Sequence, residues 1–165
     1  MQILPNVLSV LRLMMAPMVF LSIQRGRFNS AILLVVLAVI TDLMDGLIAR
    51  RQACTSRLGS YLDVMADFSF LFLATLALVF RQVYSPWLLA IMLVMFLQFV
   101  LRPKAGQLLY DPVGKYYGAL LYGVILLTLI APDLALAQAL YLTVLVVTAS
   151  SFCSRVFLTQ PAFDH

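Results

Sequence analysis

The stretch Ala31-Ile32-Leu33-Leu34-Val35-Val36-Leu37-Ala38-Val39-Ile40-Thr41-Asp42-Leu43-Met44-Asp45-Gly46-Leu47-Ile48-Ala49-Arg50 decides the fold. It is apolar to Ile40, carries two carboxylates three residues apart, and is apolar again up to Arg50. About 20 mainly apolar residues are what a helix needs to span a hydrocarbon core. Working outward, with Pro, Gly and charge as punctuation, the chain divides into six such runs. They cover about 4–23, 28–50, 58–80, 86–101, 114–130 and 134–157, with short connections and no linker. The expected fold is all-α: one domain over residues 1–165, a polytopic membrane bundle of six transmembrane helices.

Composition agrees. Hydrophobic residues make up 64% of the 165 residues and charged residues 11%, against about 45–50% and about 25% in soluble domains. These values exclude a soluble globular enzyme, a disordered chain and a disulfide scaffold. The sole histidine is His165 and the two cysteines are far apart, which excludes a His-ligated metal site and a His-based triad. The net charge of +4 is read as setting topology, not as binding nucleic acid. With the N-terminus inside, Arg50, Arg51, Arg57, Arg102, Lys104, Lys115 and Arg155 share one side, and Arg25, Arg27 and Arg81 the other. The positive-inside rule then puts both termini in the cytoplasm.

All seven acids are Asp. Four of them, Asp42, Asp45, Asp63 and Asp67, fall inside or at the edge of expected spans, where a carboxylate costs at least about 2.5–3.5 kcal/mol at mid-bilayer. At about 100° per residue, Asp42, Asp45, Gly46 and Ala49 share one arc of the second helix. Gly59, Asp63 and Asp67 recur every four residues as a stripe on the third. The two helices are expected to be antiparallel neighbours whose acidic faces meet near the cytoplasmic end. Arg50 alone cannot neutralise four anions. Oxygen ligands without His or Cys select hard cations, Mg²⁺ or Mn²⁺, and two ions would share four carboxylates. On the residues alone three readings stay open: a metal site, a cation or proton pathway, and ion pairs with Arg50, Arg57 or Lys115. Arg12, inside the first apolar run, is expected to point toward acidic partners or the interface. Asp111 and Asp133 are read as solvated or helix-capping.

Written out, the acidic stretch is Asp42-x2-Asp45-Gly46-x2-Ala49-Arg50-x8-Gly59-x3-Asp63-x3-Asp67. It resembles the signature of the CDP-alcohol phosphatidyltransferase family at every fixed position and gap. The opening Pro5-Asn6-Val7-Leu8-Ser9-Val10-Leu11-Arg12 and the pair Gly114-Lys115 are similar to bacterial members, closest to the phosphatidylglycerophosphate synthase-like ones. The chain departs from many of those at Asp63-Val64-Met65-Ala66-Asp67-Phe68, where they read D-P-x-A-D-K.

The resemblance implies transfer of a phosphatidyl group from CDP-diacylglycerol to a polar alcohol, with release of CMP. Glycerol 3-phosphate is the first expectation for the acceptor, with phosphatidylglycerol or inositol phosphate as alternatives. It implies two Mg²⁺ or Mn²⁺ ions on Asp42, Asp45, Asp63 and Asp67, with Asp67 as general base. Asp42, Gly46, Ala49, Arg50, Ser56 and Gly59 would form the CDP cleft. Lys115, Arg155, Arg102 and Lys104 would receive a phosphorylated acceptor. Membrane lipids and a homodimer are the implied partners, and a bacterial inner membrane with the site facing the cytoplasm is the implied location. The rivals are a cation- or proton-coupled transporter built on the same acids and a non-catalytic membrane subunit.

Overall fold

The computed structural model describes residues 3–52, 57–101 and 112–157, with side chains over 7–44, 62–98 and 117–150. It consists of six helices and, among the described residues, no strand. They are α1 (Ile3–Gln24), α2 (Phe28–Gln52), α3 (Arg57–Phe80), α4 (Trp87–Leu101), α5 (Pro112–Ile130) and α6 (Leu134–Phe157). Each matches an apolar run expected from the sequence to within a few residues. Windows at Val7–Gln24 and Leu62–Phe80 are long and apolar enough to cross a membrane; the other four helices carry shorter apolar stretches among the described residues.

Local chemistry explains the ends. Gly26, at φ +70°, closes α1: its N–H donates to the carbonyl of Ile23, and Arg27 N–H to that of Ser22. This paired pattern is the Schellman cap, which puts its pivotal residue in the left-handed region. α3 ends the same way on Gln82, at φ +60°, with Gln82 N–H donating to Val79 and Val83 N–H to Leu78. Asp133 caps α6, its carboxylate accepting from the backbone N–H groups of Ala135 and Leu136, in agreement with its sequence reading. In the connection after α3, the buried Tyr84 hydroxyl bonds Thr128 of α5, and burial raises its pKa.

The bundle is organised around α1 and α3, its most extensively packed pair. On α1 the buried positions Ser9, Arg12, Ala16, Val19 and Ile23 alternate spacings of three and four. On α3, Asp63, Asp67, Phe70, Ala74 and Ala77 do the same. That 3.5-residue repeat lets two helices follow one another along their length. Cross-contacts fix the direction: Ser9 meets Asp63, Arg12 meets Asp67, and Gln24 reaches the carbonyl of Ala77. The two helices are therefore parallel, and their seam is polar at one end and apolar over the rest.

This corrects the expected neighbourhood of α2 and α3. Among the described residues α2 packs on α1 and α5, while α3 packs on α1, α4 and α5. The acidic faces of α2 and α3 do converge, but with a side chain of α1 between them. Small residues permit the close approach: Ala16, Ala31, Ala38, Ala66, Ala74 and Ala77 are all buried. Large apolar residues such as Met14, Leu33, Leu43, Leu142 and Val146 face outward.

Candidate active site

Arg12 stands at the polar end of the α1–α3 seam and is fully buried. One terminal nitrogen donates to Oδ1 of Asp67 at 2.6 Å and to Oδ1 of Asp63 at 3.0 Å. The other lies 3.7 Å from Oδ1 of Asp42. Ser9, one turn earlier on α1, donates to Asp63 at 3.3 Å. From α5, the Tyr122 hydroxyl donates to Oδ1 of Asp67 at 3.1 Å, while its ring stacks on Phe70 with centroids 5.8 Å apart. Four helices thus contribute to one cluster.

The positions follow from helix geometry. Ser9 and Arg12 lie three residues apart on one face of α1, Asp63 and Asp67 four apart on one face of α3. Because α1 and α3 run parallel in register, both pairs stand at the same height. Exposure grades across the cluster, from Arg12 at 0% through Asp67 at 27% and Asp63 at 35% to Asp42 at 42% of the side chain. The guanidinium is the floor and the carboxylates are the rim.

One ligand oxygen from each of Asp42, Asp63 and Asp67 can lie within 4.8 Å of the others. Among the described residues, three carboxylates against one guanidinium leave two formal negative charges, a balance that suits a divalent cation. An all-oxygen donor set suits Mg²⁺ or Mn²⁺, so the residues present fit the metal that the sequence implies.

The other sequence-derived candidates divide by position. Asp45, Gly46, Ala49 and Arg50 continue α2 without a break, and their side chains lie outside the described residues, as does Ser56 entirely. Gly59 falls in the first turn of α3, Lys115 in the first turn of α5 and Arg155 near the end of α6. Side-chain placement for Lys115 and Arg155 lies outside the described residues, and Arg102 and Lys104 lie wholly outside them. Asp111 does too.

Tyr122 is an addition that the sequence does not single out, while Ser9 and Arg12 belong to the opening stretch that resembles bacterial family members and carry no site role there. For Arg12 the available signal was a permanent cation at the 3.5-residue seam spacing, with apolar seam positions following it. Tyr122 sits among Tyr110, Tyr116 and Tyr117, and nothing in its local sequence separates it from them.

Beside Asp67 a cavity of about 270 Å³ opens between α3, α4 and α5. Among the described residues Asp67 is the one carboxylate at its wall, alongside Val64, Phe68, Leu71, Met92, Phe96 and Leu121. Phe68 stacks on Phe96 with centroids 3.9 Å apart and planes within 15°.

Comparison with known proteins gives a consistent picture. Residues 2–150 match the family described as CDP-alcohol phosphatidyltransferase. A probable cardiolipin synthase (CMP-forming) of Drosophila melanogaster is 36% identical over 89 residues, 53% of this chain and 28% of the relative. A CDP-diacylglycerol–glycerol-3-phosphate 3-phosphatidyltransferase of Aquifex aeolicus is 33% identical over 76 residues, 46% of this chain and 43% of the relative. A human cardiolipin synthase (CMP-forming) is 46% identical over 65 residues, 39% of this chain and 22% of the relative. The chain matches less than half the length of each of these relatives. No solved structure matches it.

Proposed function

This chain belongs to the CDP-alcohol phosphatidyltransferase family, and from that premise we propose that it transfers a phosphatidyl group from CDP-diacylglycerol to an alcohol, releasing CMP. The observation that carries the reading is the convergence of Asp42, Asp63 and Asp67 on one edge of an apolar bundle, around a fully buried Arg12. Such a cluster is costly in an apolar setting, where acids by default mark a reaction site or a passage. A guanidinium seated across the carboxylates favours a fixed site over a conduit.

In the proposed step the acceptor hydroxyl gives its proton to Asp67. Its oxygen bonds to the phosphorus attached to diacylglycerol, and the bond from that phosphorus to the CMP oxygen breaks. Asp42, Asp45, Asp63 and Asp67 would hold Mg²⁺ or Mn²⁺, which when bound neutralises the charge gathering on the pyrophosphate. Arg12 and Tyr122 both donate to Oδ1 of Asp67, which holds the carboxylate in a fixed orientation. Arg50, Gly46, Ala49, Ser56 and Gly59 remain the candidates for the CDP cleft. Lys115, Arg155, Arg102 and Lys104 are the candidates for a phosphorylated acceptor such as glycerol 3-phosphate.

The bundle is read as lying in a membrane, with the site toward the cytoplasmic face of a bacterial inner membrane. Large apolar side chains face outward on α1, α2 and α6, as on a surface that meets lipid or a partner, and Arg50, Arg51, Arg57, Lys115 and Arg155 fall near the helix ends closest to the site. The test is CMP release from CDP-diacylglycerol by the purified protein, with and without Mg²⁺ or Mn²⁺. Metal-dependent release with an alcohol supports the reading. Ion flux through vesicles without nucleotide, and no CMP with any alcohol, would replace it with transport.

A further inference from the structure

We propose that the end of the bundle away from Asp67 holds a zwitterionic phospholipid headgroup, its phosphate on Arg81 and its primary ammonium on Asp133. This rests on the membrane reading above and is independent of the transfer reading.

Because α1 and α3 run parallel, the contact of Gln24 with the carbonyl of Ala77 marks their far end. Twelve residues separate Arg12 from Gln24, about 18 Å of helix. Three connections gather at this end: 25–27, 81–86 and 131–133. They carry three arginines, Arg25, Arg27 and Arg81, and one acid, Asp133. A second cavity, also of about 270 Å³, opens among them. Arg81 and Asp133 are its charged lining, and Phe28, Leu78, Leu129 and Leu134 are among its apolar groups.

Arg81 is exposed, yet it is held in place. One terminal nitrogen donates to the carbonyl of Ile23 at 3.0 Å and reaches that of Gln24 at 3.5 Å. The guanidinium carbon lies 5.0 Å from the centre of the Phe28 ring, within cation–π range. Among the described residues the other two nitrogens make no hydrogen bond. Neither Arg81 nor Asp133 forms an ion pair among those residues, although both line one cavity. Topology control needs only a cation near the interface. A pinned guanidinium with donors to spare, sharing a cavity with an unpaired carboxylate, matches a ligand that carries both charges.

The guanidinium suits a phosphate. The Asp133 carboxylate accepts from two N–H groups of α6, each at 3.4 Å, long contacts that leave it acceptor capacity. A primary ammonium brings three donors; a trimethylammonium brings none, and a glycerol headgroup no charge. Each ligand charge meets its opposite in the wall, so neither is buried unpaired. The cavity is near the lower limit for a small-molecule site, so it takes the headgroup and leaves the acyl chains in the bilayer. Among the described residues α3 and α6 make no substantial contact, and a headgroup held by Arg81 and Asp133 links them.

The test is binding to the delipidated protein in detergent micelles, followed by native mass spectrometry. The probes are phosphatidylethanolamine, phosphatidylcholine, phosphatidylglycerol and soluble O-phosphoethanolamine. Phosphatidylethanolamine is expected to bind tightest, and the soluble headgroup weakest. Arg81→Gln should raise the Kd for phosphatidylethanolamine about tenfold or more, as loss of a charge-assisted hydrogen bond implies. Asp133→Asn keeps the cap of α6 and should bring phosphatidylethanolamine down to the affinity of phosphatidylglycerol. Arg25→Gln removes the same charge from a residue outside the cavity and should leave the Kd unchanged.

A loss with Arg25→Gln equal to that with Arg81→Gln overturns the proposal, since binding would then follow surface charge alone. So does a preference for phosphatidylethanolamine that is absent or that survives Asp133→Asn. O-phosphoethanolamine binding as tightly as the lipid would give the cavity to a soluble molecule and overturn it too. If Arg81→Gln does not fold, Asp133→Asn decides. Flotation with liposomes tests the membrane reading by itself: a protein that does not float loses that reading, and the micelle affinities still decide the cavity.

Discussion

Removing Arg12 should be the most damaging single change to the fold near the site. Its two close contacts, to Asp67 at 2.6 Å and Asp63 at 3.0 Å, are charge-assisted and each is worth about 1.5–3 kcal/mol. The 3.7 Å approach to Asp42, whose side chain is the most exposed of the three, adds little. Cutting one partner from a fully buried pair costs about 3–5 kcal/mol, because the charge left behind is uncompensated. Here the carboxylates are partly exposed and rehydrate, so the expected loss for Arg12→Ala is about 2–4 kcal/mol. For a domain of this size that is a fall in Tm of about 5–15 °C, read by thermal melting of the detergent-solubilised protein. Arg12→Lys should fall between, since one ammonium cannot reproduce a fork that spans three carboxylates. The charge count gives a second readout. Without Arg12 the cluster holds three formal negative charges instead of two, so Mg²⁺ should raise the Tm of Arg12→Ala by more than that of the unaltered protein. A Tm shift under 2 °C for Arg12→Ala, with no added response to Mg²⁺, would refute the view that this side chain organises the cluster.

Three other changes test separate parts of the structure. Asp67→Asn keeps the side-chain shape and removes the proton acceptor, so CMP release should drop by two orders of magnitude or more while CDP-lipid binding, measured by equilibrium dialysis in micelles, persists. Tyr122→Phe deletes one hydrogen bond to Asp67 but keeps the ring on Phe70; a loss of about 1 kcal/mol in stability is expected, with reduced turnover and an unchanged CDP-lipid KM. Gln82→Gly relieves a non-glycine residue at φ +60° and should stabilise by up to about 1 kcal/mol, seen as a Tm increase without change in activity.

The helices were legible because each is an apolar run ended by a recognisable stop, such as Arg25-Gly26-Arg27 after α1 or Pro132-Asp133 before α6. The acids were legible because Asp42, Asp63 and Asp67 are expensive where they stand and share helix faces. What the sequence concealed was how the helices pair. The short connection between α2 and α3 suggested direct packing, yet the strongest seam joins α1 to α3, whose 9–12–16–19–23 spacing matches 63–67–70–74–77. That match is a property of two segments some 54 residues apart, and neither alone announces it. Tyr122 was hidden for the same reason: its partner Asp67 lies 55 positions away. The cavity beside Asp67 was beyond reach altogether, since it lies where, among the described residues, α4 and α5 make no substantial contact.

The parallel seam also has a consequence for how the protein is made. Chains leave the ribosome from the N-terminus, so α1 is delivered before either helix that carries an acid. In the membrane reading, Arg12 enters the bilayer with its counter-charges not yet synthesised, at a cost of about 2.5–3.5 kcal/mol near a helix centre. The apolar residues of α1 must offset that alone. Asp42 arrives with α2 but only at 3.7 Å, and the two close partners come with α3. A nascent chain that ends after α2 therefore holds a cation without its main counter-ions, which makes α1 the helix most open to slipping out or to capture by the cell's quality control until α3 locks it in place.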